Sequence, residues 1–194
     1  AGWTPREFHK TVAMPDGSIV LMGGYGNGYK NDVWRSTDNG ETWTQMTPSA
    51  GWSARYHQSS VVMPDASILL MGGADSFGLK NDVWRSTDNG ATWTQVNASA
   101  GWSARFSPNS FAMPDGSIVL MGGGTDIAAN SGYKNDVWRY QPAGSSAQNP
   151  SHTYTTPGIY SVALQVFNSD GYTRTIKKDY ISVLESDYII TLKP

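Results

Sequence analysis

The sequence has no cysteine, which excludes disulfides and thiolate metal sites. Charge is scarce: 15% of residues are Asp, Glu, Lys or Arg, and the formal net charge is −2, so neither sign dominates the surface. Nucleic-acid binding shows as a clustered basic patch. Here Lys and Arg are scattered, several recurring once per repeat, and no nucleic-acid partner is expected. No run approaches the roughly 20 apolar residues of a membrane span, so no membrane insertion is expected. Glutamate occurs only at Glu7, Glu41 and Glu185, and histidine only at His9, His57 and His152. No leader-like segment opens the chain. Residue 1 runs directly into repeat-like sequence, as in a mature form or a fragment. Aromatics, by contrast, are plentiful: eight Trp and ten Tyr can supply a compact core without cross-links.

Repetition is the strongest signal. Gly2-Trp3 recurs as Gly51-Trp52 and Gly101-Trp102, at offsets of 51−2 = 49 and 101−51 = 50. Met14-Pro15-Asp16 recurs at Met63-Pro64-Asp65 and Met113-Pro114-Asp115. Asn31-Asp32-Val33-Trp34-Arg35 recurs at 81–85 and 135–139. Within a repeat, the run 11–14 ends at a Pro-Asp-Gly turn. The nearly continuous apolar run 18–22 follows, which fits a strand buried on both faces. Residues 32–37 alternate before Asp38-Asn39-Gly40, a turn favouring positive φ, and 41–46 close the unit. Helical periodicity is absent. Three units of about 50 residues with four short strands each predict an all-β fold of propeller blades. The third is incomplete: after Arg139 it reads Tyr140-Gln141-Pro142.

Ile19-Val20-Leu21-Met22-Gly23-Gly24, Asn31-Asp32-Val33-Trp34 and Thr42-Trp43 resemble a kelch repeat. Ser36, Asp38, Gly40 and Trp43 also resemble the Asp-box of sialidase-type propellers, and Ser86, Asp88, Gly90 and Trp93 repeat it. The resemblance covers roughly residues 1–140. From 142 a polar linker leads to a second module at 142–194. Tyr160, Val162, Leu164 and Val166 alternate there as in a half-buried strand. Asn168-Ser169-Asp170-Gly171 reads as a hairpin turn, with a returning strand at 172–183. Asn149-Pro150-Ser151-His152-Thr153-Tyr154, Pro157-Gly158-Ile159-Tyr160 and Val166-Phe167-Asn168 resemble the C-terminal half of a PKD domain, an Ig-like β-sandwich. That family's first half has no counterpart here. Propellers beside PKD-like modules resemble methanogen cell-surface proteins, which implies an extracellular or cell-surface location in an archaeal envelope.

Three blades leave open ends, since propellers have four to eight. Several chains could share one ring, the C-terminal strands could form a further blade, or the chain could belong to a longer protein. The reading favoured is the first, a homo-oligomer. The segment Asp187-Tyr188-Ile189-Ile190-Thr191-Leu192 could then add to a neighbour's sheet edge or complete its own.

The residues offer little chemistry. Asp38 and Asp88 fit a structural role, each carboxylate accepting backbone N–H groups in its hairpin. Arg6, Arg55 and Arg105 hold one position per repeat. A sialidase grips a substrate carboxylate with three arginines, but a residue needed by every repeat suits blade-to-blade contact better. His9 and His57 read as one repeat position, with Asn109 in the corresponding region of the third; three dispersed histidines do not make a metal site. No cofactor or metal is expected, although carboxylates at Asp75, Asp126 and Asp170 are of the kind that binds calcium. Variation concentrates in the loops 25–29, 74–79 and 124–133, where recognition tends to sit. Tyr25, Tyr29, Phe77 and Tyr133 could stack on sugar rings or partner side chains, or cover the apolar mouth of the ring. The expectation is a non-enzymatic structural or binding module, with envelope proteins or glycans as further partners. A lectin-like propeller is the alternative and a sialidase-like glycosidase a weaker one.

Overall fold

The computed structural model describes residues 1–114, 116–140, 153–154, 157–168, 171–184 and 190–192. Asp115, the linker from 142, His152, Asp170 and the stretch 187–189 lie outside the described residues. The chain divides into two compact units, Ala1–Pro142 and Ala143–Pro194.

The first unit is a row of antiparallel sheets. Blade 1 holds β1 (Lys10–Ala13), β2 (Ile19–Met22), β3 (Val33–Ser36) and β4 (Thr44–Thr47) in that order. Blade 2 holds β5 (Ser59–Val62) and β6 (Ile68–Met71). A two-stranded flap, β7 (Ala74–Asp75) and β8 (Gly78–Leu79), interrupts it before β9 (Val83–Ser86) and β10 (Thr94–Asn97). Blade 3 holds β11 (Asn109–Ala112), β12 (Ile118–Met121) and β13 (Val137–Tyr140). Among the described residues no fourth strand follows. The first strands lie side by side, β1 against β5 and β5 against β11, while β1 and β11 do not meet. The described blades therefore form an open row around the side carrying their first strands.

Local chemistry sets the hairpins. In blade 1 the Met14 N–H donates to the Ser18 carbonyl at 2.8 Å, and Asp16 Oδ1 accepts the Ser18 N–H at 2.9 Å. That closes the turn between β1 and β2. Register is preserved from blade to blade: Lys10 pairs with Met22, Ser59 with Met71, and Asn109 with Met121.

Two apolar cores lie between blades. One joins Val12, Met14, Val20, Met22 and Val33 of blade 1 to Ala50, Trp52, Ile68 and Leu70 of blade 2. The other joins Val61, Met63, Leu69, Met71 and Val83 of blade 2 to Ala100, Trp102, Ile118 and Leu120 of blade 3. The middle strand β6 is buried along its whole length because a blade covers each of its faces.

The second unit is a separate antiparallel sheet. β14 (Gly158–Asn168) and β15 (Gly171–Val183) form a long hairpin with an irregularity between Tyr160 and Val162. β16 (Ile190–Leu192) pairs with β15 at Ile181–Val183, so the terminal segment completes its own sheet. The rings of Tyr154 and Tyr160 meet at a tilt of 45°, with centroids 4.5 Å apart.

Candidate functional site

Each blade is locked by the same cluster. The Arg55 guanidinium forks onto Asp82, Nη1 to Oδ1 at 2.6 Å and Nη2 to Oδ2 at 2.8 Å. Trp84 Nε1 donates to the same carboxylate at 2.8 Å, and Arg55 Nη1 also donates to the Gly72 carbonyl at 3.1 Å. Arg6 with Asp32 and Trp34, and Arg105 with Asp136 and Trp138, repeat the arrangement. Such bidentate pairs are directional and strong. Hydrogen bonds from Arg105 and Trp138 hold the Asp136 carboxyl well below the ordinary aspartate range. At Asp32, burial pushes the pKa upward, but bonds from Arg6 and Trp34 outweigh it and the net shift is downward.

These contacts correct the sequence reading of the arginines. Their side chains tie the segment before each first strand to its own blade, not to the next one. The blade-to-blade contact is made by the backbone. Arg55 N–H donates to the Lys30 carbonyl and its carbonyl accepts the Gly24 N–H, both at 2.9 Å; Arg105 does the same with Lys80 and Gly73. The Asn before each aspartate is the second link. Asn31 Nδ2 donates to the carbonyls of Ala50 and Trp52 at 3.2 Å, and Asn81 Nδ2 to those of Ala100 and Trp102 at 3.0 and 3.1 Å. In the sequence the Asn-Asp-Val-Trp string marks the repeats and carries part of the kelch resemblance, with no partner assigned to it. Its recurrence alongside one Arg per repeat was the signal that could have found the lock.

The loops 36–43 and 86–93 are closed on themselves. Ser36 Oγ donates to Asp38 Oδ1 at 2.7 Å and accepts the Gly40 N–H at 2.8 Å. Asp38 takes the Thr42 N–H at 2.9 Å and the Thr42 hydroxyl at 2.5 Å. Trp43 Nε1 donates to the Gly40 carbonyl at 3.0 Å. Ser86, Asp88, Gly90, Thr92 and Trp93 reproduce the set. The Thr42 bonds lower the Asp38 pKa from 3.8 to about 2. In blade 3 Tyr140 stands where Ser36 and Ser86 stand, opposite the first residue of the second strand. Its ring meets Trp102 edge-on at 5.7 Å, as Trp43 meets Trp3 and Trp93 meets Trp52.

The histidines need a correction. Register aligns His57 with Phe8 and Ser107, all three at positive φ (57°, 54° and 49°). His9 aligns instead with Gln58 and Pro108, and Asn109 with Lys10 and Ser59. His57 Nδ1 lies 2.6 Å from Ser107 Oγ, and His9 Nδ1 is buried without a partner among the described residues.

Tyr25 and Tyr29 converge with centroids 5.3 Å apart, and Tyr56 lies 5.7 and 5.4 Å from them. Phe8 stacks on His57 at 4.0 Å and touches Tyr56 at 5.9 Å. Phe8, Tyr25 and Tyr29 remain solvent-exposed. Phe77 and Tyr133 do not join this cluster through any ring contact; Phe77 is 91% exposed, and the Tyr133 hydroxyl donates to the Asn130 carbonyl. Of the carboxylates suited to calcium, Asp75 pairs with Lys80 at 2.9 Å and accepts the Phe77 N–H, and Asp126 accepts the Ala129 N–H at 3.0 Å. No group of three or more His, Cys, Asp or Glu residues converges among the described residues.

Four-stranded sheets repeated side by side, with their first strands adjacent and cores between them, define a protein of the β-propeller class. The chain belongs to the DUF6242 beta propeller domain family, which it matches over residues 8–141. Residues 138–183 match the PKD domain. No curated protein matches the chain. Propeller and PKD domains together are an architecture of binding and structural modules.

Proposed function

We propose that the chain is a non-enzymatic structural or binding module, of kelch and Asp-box type, that works outside the cell and associates with further copies of itself. The observation that carries this reading is the outer face of blade 3. Val12 and Val61 are 9% and 7% exposed, but Phe111 at the same register position is 55% exposed. Val33 and Val83 are fully buried, but Val137 is 65% exposed. Contiguous apolar surface of this kind marks an interaction site. An extracellular setting is supported by the PKD match, since PKD domains are typically extracellular. Among the described residues no helix is long and apolar enough to cross a membrane. The non-enzymatic reading is supported by the arginines, whose forks are occupied by aspartates of their own blades. Sedimentation of the chain over a range of concentrations tests the association: the expected species is a dimer, and a single-chain mass throughout would overturn it. Hydrolysis of a sialoside above blank would overturn the non-enzymatic reading.

The exposed rings of Phe8, Tyr25 and Tyr29 around Tyr56 favour a second reading, a lectin-like surface on which sugar rings stack. Aromatic platforms present flat apolar area at little entropic cost. A glycan array tests it. Tyr29→Ala should abolish any binding while the fold stays intact, and unchanged binding would remove this cluster as the site.

A further inference from the structure

We infer that blade 1 of a second copy seats on the outer face of blade 3, so that two chains of three blades share one ring of six. This rests on the self-association proposed above and names its surfaces. The two junctions already present in the chain define what a blade requires from its successor. The apolar set Val12, Met14, Val20, Met22 and Val33 takes Trp52, Ile68 and Leu70. On blade 3 the same register positions are Phe111, Met113, Val119, Met121 and Val137, none of them fully buried. On blade 1 the counterparts of Trp52, Ile68 and Leu70 are Trp3, Ile19 and Leu21.

One tetrapeptide displays both halves. Ile-Val-Leu-Met forms β2 and also β12. In β12, Ile118 and Leu120 are buried against blade 2 while Val119 and Met121 are half-buried on the open side. In β2, Val20 and Met22 are buried against blade 2, while on the opposite face Ile19 is half-buried and Leu21 is already buried within its own chain. The open face of each blade is therefore the kind of face that its counterpart covers elsewhere in the row.

Shape and hydrogen bonding agree. A Cβ built at Gly90 of blade 2 would meet Val33 Cγ1 at 2.7 Å and Val20 Cγ1 at 3.4 Å, whereas at Gly40 of blade 1 it would meet nothing within 4 Å. The open space at Gly40 matches the exposed Val137 and the half-buried Val119. Among the described residues, the blade-to-blade backbone links are not made at either end of the row. The N–H of Gly24 and Gly73 donates to the carbonyl of Arg55 and Arg105, and the carbonyls of Lys30 and Lys80 accept their N–H. In blade 3 the same groups are the Gly123 N–H and the Lys134 carbonyl; on blade 1 they are the Arg6 carbonyl and N–H. Asn135 stands where Asn31 and Asn81 reach the next blade, so its amide would take the Trp3 carbonyl of the second copy.

The absence of cysteine makes the contact directly testable. Ser59 Oγ and Ser110 Oγ lie 2.6 Å apart across the junction of blades 2 and 3. By register, Asn109 and Thr11 hold these positions at the closing junction, and both are exposed. Thr11→Cys and Asn109→Cys chains, prepared separately, mixed and oxidised with glutathione disulfide, should give a covalent dimer containing one of each. Neither variant alone should do so. Ser59→Cys with Ser110→Cys in one chain is the positive control, giving an internal bridge. If the unsubstituted chain sediments as a dimer yet the mixed variants do not cross-link, or each variant cross-links equally well alone, the docking geometry is wrong while self-association stands. If the chain is monomeric, both readings fall.

Discussion

Ala66 occupies a place that glycine holds in the other two blades. Its φ is 64°, beside 82° for Gly17 and 79° for Gly116. A left-handed conformation costs an L-residue roughly 1–2 kcal/mol, partly offset because alanine has less freedom to lose on folding. Ala66→Gly should therefore raise stability by about 0.5–1 kcal/mol; a lower denaturation midpoint in urea would refute the strain. The opposite sign is expected at the lock. Asp82→Asn leaves the buried Arg55 guanidinium without its counter-charge, and removing one partner of such a pair costs about 3–5 kcal/mol. Stability should also fall with acid in two stages. Burial holds the pKa of His9 and of His57 below 6.5. Their contribution is complete above that value and declines as the pH drops beneath it toward the folded pKa. Asp38, lowered from 3.8 to about 2 by Thr42, contributes above 3.8 and is lost as the pH approaches 2. Replacing His9 by glutamine, the residue that blade 2 uses at that register, should reduce the upper stage in a Tm-against-pH profile and leave the lower one.

At the level of strands, side-chain burial depends on the neighbouring blade as much as on composition. Leu120 faces blade 2 and is fully buried, while Val119 beside it looks to the open side. Leu120→Ala should cost about 2–5 kcal/mol. Val119→Thr should change the stability of the dissociated chain by less than about 0.5 kcal/mol, as at ordinary surface sites. Equal losses would mean that the two faces are not distinct. This contrast also marks how much was legible beforehand. Short apolar runs between Pro-Asp-Gly and Gly-Gly punctuation exposed the strands, because turn chemistry is local. The fully buried character of β6 follows from its continuous apolar run. The different fates of β2 and β12 do not, since their residues are identical and only their neighbours differ. The Arg–Asp–Trp lock was also hidden. Its members lie 27 residues apart in blade 2, a separation at which no local pattern connects them. The pairing of His9 with His57 went wrong for a simpler reason: both fall just after the repeated arginine, but one place apart, and a one-residue slip in a strand changes the face a side chain occupies.

At the scale of the whole first unit, the open row of described blades leaves two unlike faces at its ends, one carrying Phe111 and Val137 and the other Trp3 and Ile19. Unlike faces that fit one another could propagate into a filament. A ring of two chains uses both faces of both copies, so it is closed and finite. The proposed closure would also couple folding to concentration, because its buried junction would exist only in the associated state. Anything that binds the folded chain but not the unfolded one raises its apparent stability by mass action. The Tm of the unsubstituted chain should therefore climb with protein concentration. Val137→Asp places a carboxylate at the centre of the closing face, where burial without a partner is strongly unfavourable, yet in a single chain that position is open to water. The variant should keep the β-sheet spectrum of the parent, sediment as a monomer and show a Tm independent of concentration. A Val137→Asp chain that still dimerises, with a Tm that climbs as steeply as the parent's, would mean that the ends of the row are covered by something other than each other.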